Sequence, residues 1–506
     1  MTVASECVVA IDIGTQSTRA ALVDVHGTII DVASAPVDLF TPRPGWAEQD
    51  PEQWWQTTLA NVAAVRARHP GLPVAAIGVG AQMHSLVPVD TDGIPLARRS
   101  ALWSDKRCLE QVDAFLGQPG AADLSRRAGN LPLPAWAGFK MAWLRSSAPA
   151  VYADAACLLV AKDFLNMRLC GTAATDPAEA SGSFLCDAAT GEWSADLLAA
   201  LRLDRSKLPD IADSSAVIGT LRREVAGRTG LTAGTPVVAG SGDMMCQLLG
   251  SGITRPGRVA LVAGTASIVA ASAGQPSADI RVMNLRSASG SWIHFGIGDA
   301  AGKSFRWFAD ELWAAGRPGA DFETIIAAAA GVEAGCGGLL FFPYLLGERT
   351  LGHAQSRASF VGATPAHDRA HFARAVIEGI TLEDRRALAS VCPGGPREPV
   401  RCIAGGAGSA VWNQIRADVF GYPVQTLACA EGGIIGAAIL AGVGAGWYPD
   451  AATGAEQVVR LADRWQPEPQ AARCYEEAFR VFCAVHDALH GTWPQWSGQG
   501  ADQGTP

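Results

Sequence analysis

The chain has 506 residues, more than one hydrophobic core usually serves, so two or more domains are expected. Apolar residues make up 49% of the sequence and charged residues 18%, an ordinary balance for a soluble globular protein. The net charge is −9 without any basic block, which argues against nucleic acid as the main partner. The twelve cysteines form no CxxC pair, a pattern that favours reduced thiols over disulfides or a zinc site.

Secretion and membrane insertion are also disfavoured. The N-terminal residues lead directly into a predicted strand, without a cleavable apolar segment. The longest uncharged stretch, residues 432–449, is rich in glycine and fits a buried helix and its turn better than a membrane span. We therefore expect a cytoplasmic protein with no membrane partner and with a flexible tail over residues 491–506.

The first predicted element is a hairpin over residues 7–24, with Gly14 and Thr15 in its polar turn. Backbone amides and hydroxyls of such a turn can hold phosphate oxygens, and Arg19 could pair with a phosphoryl group. Asp12 lies where the strand enters the turn, a suitable place to hold magnesium through water. An ordinary hairpin turn is the competing interpretation. A helix is then predicted from Pro51, with Asp50 as N-cap and Gln53 completing a capping box.

Candidate sugar-binding residues follow two apolar runs. The first run, residues 74–80, predicts a buried strand, and the second, residues 101–103, is interpreted in the same way. Ligands of open α/β sheets bind at the carboxyl ends of strands, where planar polar groups can bind hydroxyl pairs and an aromatic face can cover the C–H side of a polyol. The candidates are Gln82, Met83, His84, Trp103 and Asp105. For His84 a purely structural role is the competing interpretation.

A single exposed carboxylate, Asp243, follows the apolar run and glycines of residues 237–242. An acid at a glycine-rich strand end is placed to face a cleft, because glycine allows a substrate to approach the backbone closely. The next segment, residues 258–274, repeats the opening hairpin, with Gly264 and Thr265 in its turn. This internal duplication predicts two lobes that close on one nucleotide.

The remaining predicted elements lie in the second half of the chain. A helix is expected after residues 296–303, a buried strand leading to a polar turn over residues 339–349, and an amphipathic helix from His371. The strand over residues 400–404 ends in Gly405, Gly406 and Ala407, and a helix follows. Small residues at such a strand tip suit a flat adenine or ribose slot, because side chains there would block the base.

In their order and spacing, these motifs resemble the FGGY family of carbohydrate kinases. The match runs from about Val8 to Phe482 and includes DIGTQSTRAALVD, PGWAEQDPEQWW, GAQMHS, ALWSDKR, GSGDM, VAGTAS, FFPYLLGERT, AGGAGSAVWNQI and EGGIIGAAILAG. The resemblance implies an α/β protein of the two-domain actin-like ATPase (ribonuclease H-like) fold, each domain a mixed sheet flanked by helices. The expected domains are 1–250, which binds sugar and carries the first phosphate loop, and 251–490, which binds the nucleotide.

The resemblance also implies an activity, the ATP-dependent phosphorylation of a sugar with magnesium. By motif position Asp243 would be the general base, Met83 and His84 would contact the sugar, Asp12 and Thr15 would form the first phosphate loop, Gly264 and Thr265 the second, and Gly405 to Ala407 the adenosine loop. The closest motif likeness is to members that phosphorylate the ketopentose D-xylulose. Ribulose, gluconate, erythritol or a deoxy-ketose are alternative substrates, and a non-kinase actin-like ATPase is the alternative class. Many members form dimers, so the resemblance also allows a homodimer.

Two departures from the xylulose-specific pattern fall beside the expected sugar. Met244 follows the candidate base where those members usually have asparagine, and Ser104 stands where they usually have asparagine in Trp-Asn-Asp. The kinase chemistry is therefore better supported by the sequence than the identity of the sugar.

Overall fold

The computed structural model describes residues 6–314, 321–348 and 355–493. They form two seven-stranded mixed sheets, one in each half of the chain, with helices packed against them. Among the described helices, none is both long and apolar enough to cross a membrane. The turn around Arg349 and residues 494–506 of the predicted tail lie outside the described residues.

The first half contains strands β1 to β13 and helices α1 to α10. The strands are β1 Cys7–Ile13, β2 Ser17–Val23, β3 Ile29–Pro36, β4 Glu48–Gln49, β5 Val74–Ala81, β6 Val87–Val89, β7 Ser100–Ala101, β8 Cys157–Leu159, β9 Ala174–Thr175, β10 Asp210–Ile211, β11 Val217–Thr220, β12 Pro236–Val238 and β13 Ser241–Gly242. The helices are α1 Pro51–Arg68, α2 Leu109–Leu116, α3 Ala121–Ala128, α4 Ala137–Ser147, α5 Pro149–Asp154, α6 Ala161–Cys170, α7 Pro177–Ser181, α8 Ala195–Leu201, α9 Arg223–Thr229 and α10 Asp243–Leu249.

The second half contains strands β14 to β22 and helices α11 to α17. The strands are β14 Val259–Ala263, β15 Ser267–Ala273, β16 Met283–Arg286, β17 Trp292–Gly298, β18 Leu340–Phe342, β19 Ser359–Val361, β20 Val400–Ile403, β21 Val424–Leu427 and β22 Leu461–Trp465. The helices are α11 Ala301–Trp307, α12 Phe322–Ala330, α13 Arg369–Val391, α14 Ala410–Phe420, α15 Gly432–Gly444, α16 Ala451–Val458 and α17 Pro469–His490.

The duplication predicted from the two hairpins extends through both sheets. In the first, the strand order is β3-β2-β1-β5-β12-β11, and in the second it is β17-β15-β14-β20-β21-β22, with β16 added at the edge. In each sheet the hairpin strands are antiparallel, and the first hairpin strand pairs in parallel with the strand on its other side. Both polar turns therefore lie at equivalent positions of two related sheets.

Two local predictions were wrong. Asp50 caps α1 as expected by accepting from the Glu52 amide, but the Gln53 side chain accepts from the Asp38 amide instead of closing a capping box. The run ending at Trp103 does not belong to the main sheet, because β7 pairs with β4 in a two-stranded ladder and bridges to Leu86. In both cases a partner distant in the sequence determines the outcome.

Helix α15 belongs to the second half of the chain but packs against the sheet of the first half and against α10. The backbones approach so closely that glycine is required. A Cβ at Gly436 would lie 1.9 Å from the Cys246 carbonyl oxygen, and a Cβ at Gly78 of β5 would lie 2.3 Å from the Ala437 carbonyl oxygen. The two halves thus share a tightly packed crossing, and the boundaries expected at residues 250 and 490 stay predictions.

A second connection joins the halves on the side of α7. Asn130 and Asn284 are buried and bond reciprocally, since Asn130 Oδ1 accepts from the Asn284 amide and Asn130 Nδ2 donates to the Asn284 carbonyl, both at 2.8 Å. Nearby, the Arg286 amide donates to Ser181 Oγ at 2.9 Å. Strand β16 is therefore held against the first half by directional bonds.

Candidate active site

The turn of the first hairpin is held by a buried amide network. Gln49 Nε2 donates to the Thr15 carbonyl at 2.7 Å, and Gln49 Oε1 accepts from Gln82 Nε2 at 2.6 Å and from Trp54 Nε1 at 3.0 Å. Thr15 Oγ1 lies 3.5 Å from Gln82 Oε1 and accepts from Trp103 Nε1 at 3.4 Å. The network fixes the turn that carries Thr15.

This network changes the interpretation of Gln82. The side chain has no exposed surface, and its amide nitrogen is used by Gln49. Its geometry therefore favours support of the phosphate turn over direct contact with a sugar. Trp103 is 42% exposed, so its ring face remains available to a ligand.

Asp105 is likewise a supporting residue in this structure. Its carboxylate has no exposed surface and accepts from the Ala47 amide at 2.7 Å and from the Arg107 guanidinium at 2.7 and 2.8 Å. Arg107 also pairs with Glu48 at 2.7 Å and lies over the Trp46 ring. The carboxylate thus has its partners within the protein, and the predicted sugar contact of Asp105 is not what the geometry favours.

Asp12 and Arg19 lie opposite each other in the register of β1 and β2. The Arg19 guanidinium bonds to Asp12 Oδ2 and, from its other side, to Glu431, which directly precedes α15. Arg19 therefore bridges the two halves of the chain at the mouth of the hairpin. Asp12 is buried, and burial raises the pKa of its carboxyl against the opposing effect of Arg19.

The surroundings of Asp12 fit a magnesium ion held mostly by water and phosphate. The Arg19 contacts use Oδ2, and a Cβ at Gly433 would lie 3.6 Å from either carboxylate oxygen, so glycine at position 433 keeps a side chain of its own away from the carboxylate. Among the described residues no cluster of three or more His, Cys, Asp or Glu could hold a metal by itself. Magnesium commonly uses one or two carboxylates plus substrate phosphates, which matches this arrangement.

Asp243 occupies the first position of α10, directly after β13. Its Oδ1 accepts from the Met244 amide at 2.7 Å, and the side chain is half-buried. Burial, together with the negative charge of Asp12, raises the pKa of Asp243 to about 7. A carboxyl with a pKa in this range can accept a proton at neutral pH and release it again.

A buried charged cluster anchors the segment that leads to Asp243. Asp176 Oδ2 accepts from Ser241 Oγ at 2.7 Å and from Ser214 Oγ at 2.9 Å. Lys162 Nζ donates to the Ala239 carbonyl at 3.1 Å and lies 3.5 Å from Asp176. These groups hold the backbone on both sides of Gly240, which takes a left-handed conformation with a φ of 71°.

Met83 and His84 lie beside this segment. A Cβ at Gly242 would lie 2.3 Å from Met83 Cγ, so the Met83 side chain covers the residue just before Asp243. His84 has a left-handed backbone with a φ of 63°, and its ring packs edge-on against Trp136 at 5.1 Å. The structure therefore places Met83 against the residue before the candidate base, whereas His84 contacts Trp136 and Glu179 of α7.

The second hairpin has an exposed turn at Gly264 and Thr265. The Thr265 carbonyl accepts from the Lys303 amide at 3.0 Å, and a Cβ at Gly302 would lie 2.3 Å from the Gly264 carbonyl oxygen. The predicted helix after residues 296–303 begins at Ala301, so its first turn supports this loop.

A cleft of about 700 Å³ lies beside the predicted adenosine loop. Its wall includes Gly405, Ala407 and Gly408, with Gln247 from the first half and Trp465 from β22. Gly406 lies close to Ala263 at the end of β14, so it is a packing residue of the same turn. The volume and the small lining residues suit a nucleoside, whose ribose and base need space close to the backbone.

Three residues of the site escaped the sequence interpretation. Gln49 sits in a motif that was interpreted only as a helix start, Glu431 precedes a glycine pair, and Glu179 lies in α7 beside His84. Each acts through a partner far away in the sequence, so no local spacing identified it.

Two related lobes, each with a glycine-threonine hairpin, and a cleft of nucleoside size are the architecture expected of a phosphotransferase of the actin-like fold. The FGGY carbohydrate kinase family models match residues 7–250 (N-terminal domain) and 259–445 (C-terminal domain). The chain belongs to the FGGY family and is an ATP-dependent sugar kinase.

Individual relatives differ in the sugar that they are named for. A xylulose kinase from Bacillus subtilis is 31% identical over 496 residues, covering 95% of this chain and 96% of the relative. A xylulose kinase structure from Rhodospirillum rubrum has a TM-score of 0.90 at 32% identity over 96% of this chain and 100% of that one. A gluconate kinase structure from Lactobacillus acidophilus has a TM-score of 0.91 at 25% identity, covering 97% and 99%.

Proposed function

We propose that this kinase transfers the γ-phosphate of ATP to a hydroxyl of D-xylulose, giving D-xylulose 5-phosphate. The observation that carries the proposal is the position of Asp243, a carboxyl with a pKa of about 7 that directly follows Gly242, which Met83 covers, and that lies in the electrostatic field of Asp12. The relatives named xylulose kinase support the choice of sugar. The relatives named for gluconate make D-gluconate the second candidate.

In the proposed mechanism Asp243 accepts the proton of the acceptor hydroxyl while that oxygen attacks the γ-phosphorus in line. Thr15 and Thr265 offer hydroxyls and backbone amides to phosphate oxygens, one from each lobe. Arg19 pairs with a phosphate oxygen once its ion pair with Glu431 is broken. Asp12 would hold magnesium through water, and the ion would neutralise charge on the phosphates.

Closure of the two lobes explains how such a kinase would avoid wasting ATP. Water can attack the γ-phosphate as well, so an active site completed only around the sugar prevents hydrolysis.

A coupled ADP assay with D-xylulose, D-ribulose, D-gluconate, erythritol and no sugar tests the proposal. D-xylulose is expected to give the highest kcat/KM, with little ADP formed in its absence. Preference for another sugar, or a basal rate that no sugar raises, would contradict the proposal.

The raised pKa of Asp243 predicts a pH profile. The base works when deprotonated, so kcat/KM for the sugar should rise with pH up to about 7 and then level off. Glu383 and Asp384, whose pKa values are also raised to about 7 by burial, could titrate in the same range. The variant Asp12→Asn distinguishes Asp243 from Glu383 and Asp384. Removing the negative charge near Asp243 should lower the pKa of Asp243 and with it the midpoint of the pH profile. A midpoint unchanged by this substitution would point away from Asp243.

The nucleoside cleft gives a prediction on ATP affinity. A Cβ at Gly405 would meet nothing within 4 Å, so Gly405→Leu should fold normally and extend its side chain toward the cleft. The KM for ATP is expected to rise about tenfold or more, which corresponds to about 1.4 kcal/mol of lost binding. Calorimetry of sugar binding to the same variant serves as the control and should give an unchanged Kd. An unchanged KM for ATP would place the nucleoside elsewhere.

A further inference from the structure

Gln247 of α10 connects three parts of the candidate site. Its side-chain oxygen Oε1 accepts from the Gly433 amide of α15 at 3.1 Å. Among the described residues that line the nucleoside cleft, it is the one contributed by the first half of the chain. It also follows Asp243 by four residues, so the two side chains lie on the same face of α10, one turn apart. The cleft, the start of α15 and the candidate base therefore meet at one side chain.

The bond from Gly433 satisfies the start of α15. The first amides of a helix have no partner within the helix itself. In the described part of the chain, the N-cap residue Glu431 makes no side-chain bond to them, and its carboxylate pairs with Arg19 instead. Gln247 thus supplies from a different helix the acceptor that the N-cap does not. This bond accounts for one end of the Gln247 amide group.

The other end of that amide group is a donor that faces the cleft. Because the Gly433 N–H needs an acceptor, Oε1 takes that position and Nε2 is left for another partner. Nε2 has no acceptor among the described residues and is not enclosed by them, so it is accessible from the cleft that Gln247 lines. A Cβ at Gly432 would lie 2.6 Å from Nε2, so glycine there leaves room for the amide group.

The position of Gln247 in the cleft indicates which part of a nucleotide it meets. Asp243 and Gln247 are separated by about 6 Å along the axis of α10. With the γ-phosphate beside Asp243, the ribose and the α-phosphate lie toward Gln247, and the base lies toward Trp465, an aromatic residue of the cleft wall. Ribose and phosphate oxygens accept hydrogen bonds, which is the chemistry that an amide N–H requires.

We propose that Gln247 is a nucleotide-binding residue supplied by the sugar-binding half of the chain. Its Nε2 donates to an oxygen of the ribose or of the α-phosphate, while Oε1 holds the start of α15. Bound nucleotide would thereby fix the side chain that joins α10 to α15, one turn away from Asp243. The proposal rests on the assignment of this cleft to the nucleoside.

The test is a binding cycle between Gln247→Met and ligands that lack one oxygen or phosphate group. Methionine is unbranched and of similar length, but it makes neither bond. Calorimetry on wild type and variant measures the Kd of ADP, adenosine, 2′-deoxyadenosine and 3′-deoxyadenosine. If the acceptor is the α-phosphate, the variant should bind ADP about tenfold more weakly and adenosine as wild type does. If it is the ribose, adenosine should also weaken about tenfold, and the deoxyadenosine without the contacted hydroxyl should not.

Gln247→Glu separates the contact with the nucleotide from the support of α15. A glutamate still accepts from the Gly433 amide, so its melting temperature should equal that of wild type, whereas Gln247→Met should melt about 2 °C lower. The glutamate has no N–H to donate and adds a negative charge, so its Kd for ADP should rise at least as much as in Gln247→Met. Gln457→Met, at an exposed glutamine of α16, is the matched control and should leave every Kd unchanged.

The outcomes separate this residue from the cleft and from the kinase assignment. If Gly405→Leu leaves the KM for ATP unchanged, the cleft does not hold the nucleoside, and the proposal for Gln247 falls with it. If Gly405→Leu raises that KM, two results of the binding cycle would still overturn the proposal. Either Gln247→Met changes no Kd by more than twofold, or it weakens all four ligands equally. In both cases Gln247 only supports α15, and the kinase assignment stands.

Discussion

Replacing Asp243 with alanine or asparagine is expected to lower kcat for sugar phosphorylation by about 10²–10⁴-fold, the usual contribution of a general base. The acceptor hydroxyl is a very weak acid, and without the carboxylate its proton has no acceptor in the site. Sugar binding should persist, because the substitution removes the carboxylate but leaves Met83, His84 and Trp103 in place. Single-turnover assays and sugar calorimetry on the same preparation measure the two properties separately.

The stability of the Asp243 variant serves as its internal control. The folded pKa of about 7 lies above the ordinary value of 3.8, so the protonated form favours folding and that contribution is lost as pH rises through 7. Asp243→Asn should therefore melt at a higher temperature than wild type at pH 8, with a smaller difference at pH 5. Turnover within tenfold of wild type would exclude Asp243 as the base.

The second large effect is expected at the crossing of α10 and α15. Alanine is a better helix former than glycine by about 1 kcal/mol, so propensity alone predicts that Gly436→Ala stabilises α15. Its Cβ would, however, lie 1.9 Å from the Cys246 carbonyl oxygen of α10, and backbone cannot move away as a side chain can. We expect a loss of about 3 kcal/mol in the free energy of unfolding, measured by urea denaturation.

Catalysis should fall in the same variant, because α10 begins with Asp243. A displacement of about 1 Å at the reacting group can cost about 10²-fold in rate. Gly71→Ala is the matched control, since a Cβ at that exposed turn meets nothing within 4 Å. If Gly436→Ala were as stable and active as Gly71→Ala, the tight helix crossing would not position the base.

The fold was predictable because its signals are local or repeated. The hairpins around Thr15 and Thr265 each contain their own strand-turn-strand pattern, and their similarity predicted two lobes, which the structure shows as two related sheets. The same holds for the strand–helix junction at Asp243, where glycines and an apolar run mark the transition. The helix starting at Arg369 and the strand ending before Gly405 follow the predicted pattern as well.

The sequence did not predict which side chains support the site and which remain available to a ligand, because this depends on partners distant in the sequence. Gln82 and Asp105 have side chains that suit a sugar, but in the structure they are hydrogen-bonded to Gln49 and Arg107. Glu179 is 95 residues from His84 in the chain, and only the fold brings its carboxyl to the His84 backbone amide. The sequence shows which side chains have the chemistry to bind a sugar. It does not show which of them are already hydrogen-bonded to other residues, because that depends on how the chain packs.

The central claim is that Asp243 takes the proton from the sugar hydroxyl that attacks ATP. The most direct measurement is a crystal structure of the protein with D-xylulose and a non-hydrolysable ATP analogue. The account predicts a carboxylate oxygen of Asp243 within about 2.6–3.2 Å of the acceptor hydroxyl oxygen, with the γ-phosphorus on the opposite side of that oxygen. A sugar bound with no hydroxyl near Asp243, or with another base at that distance, would contradict it.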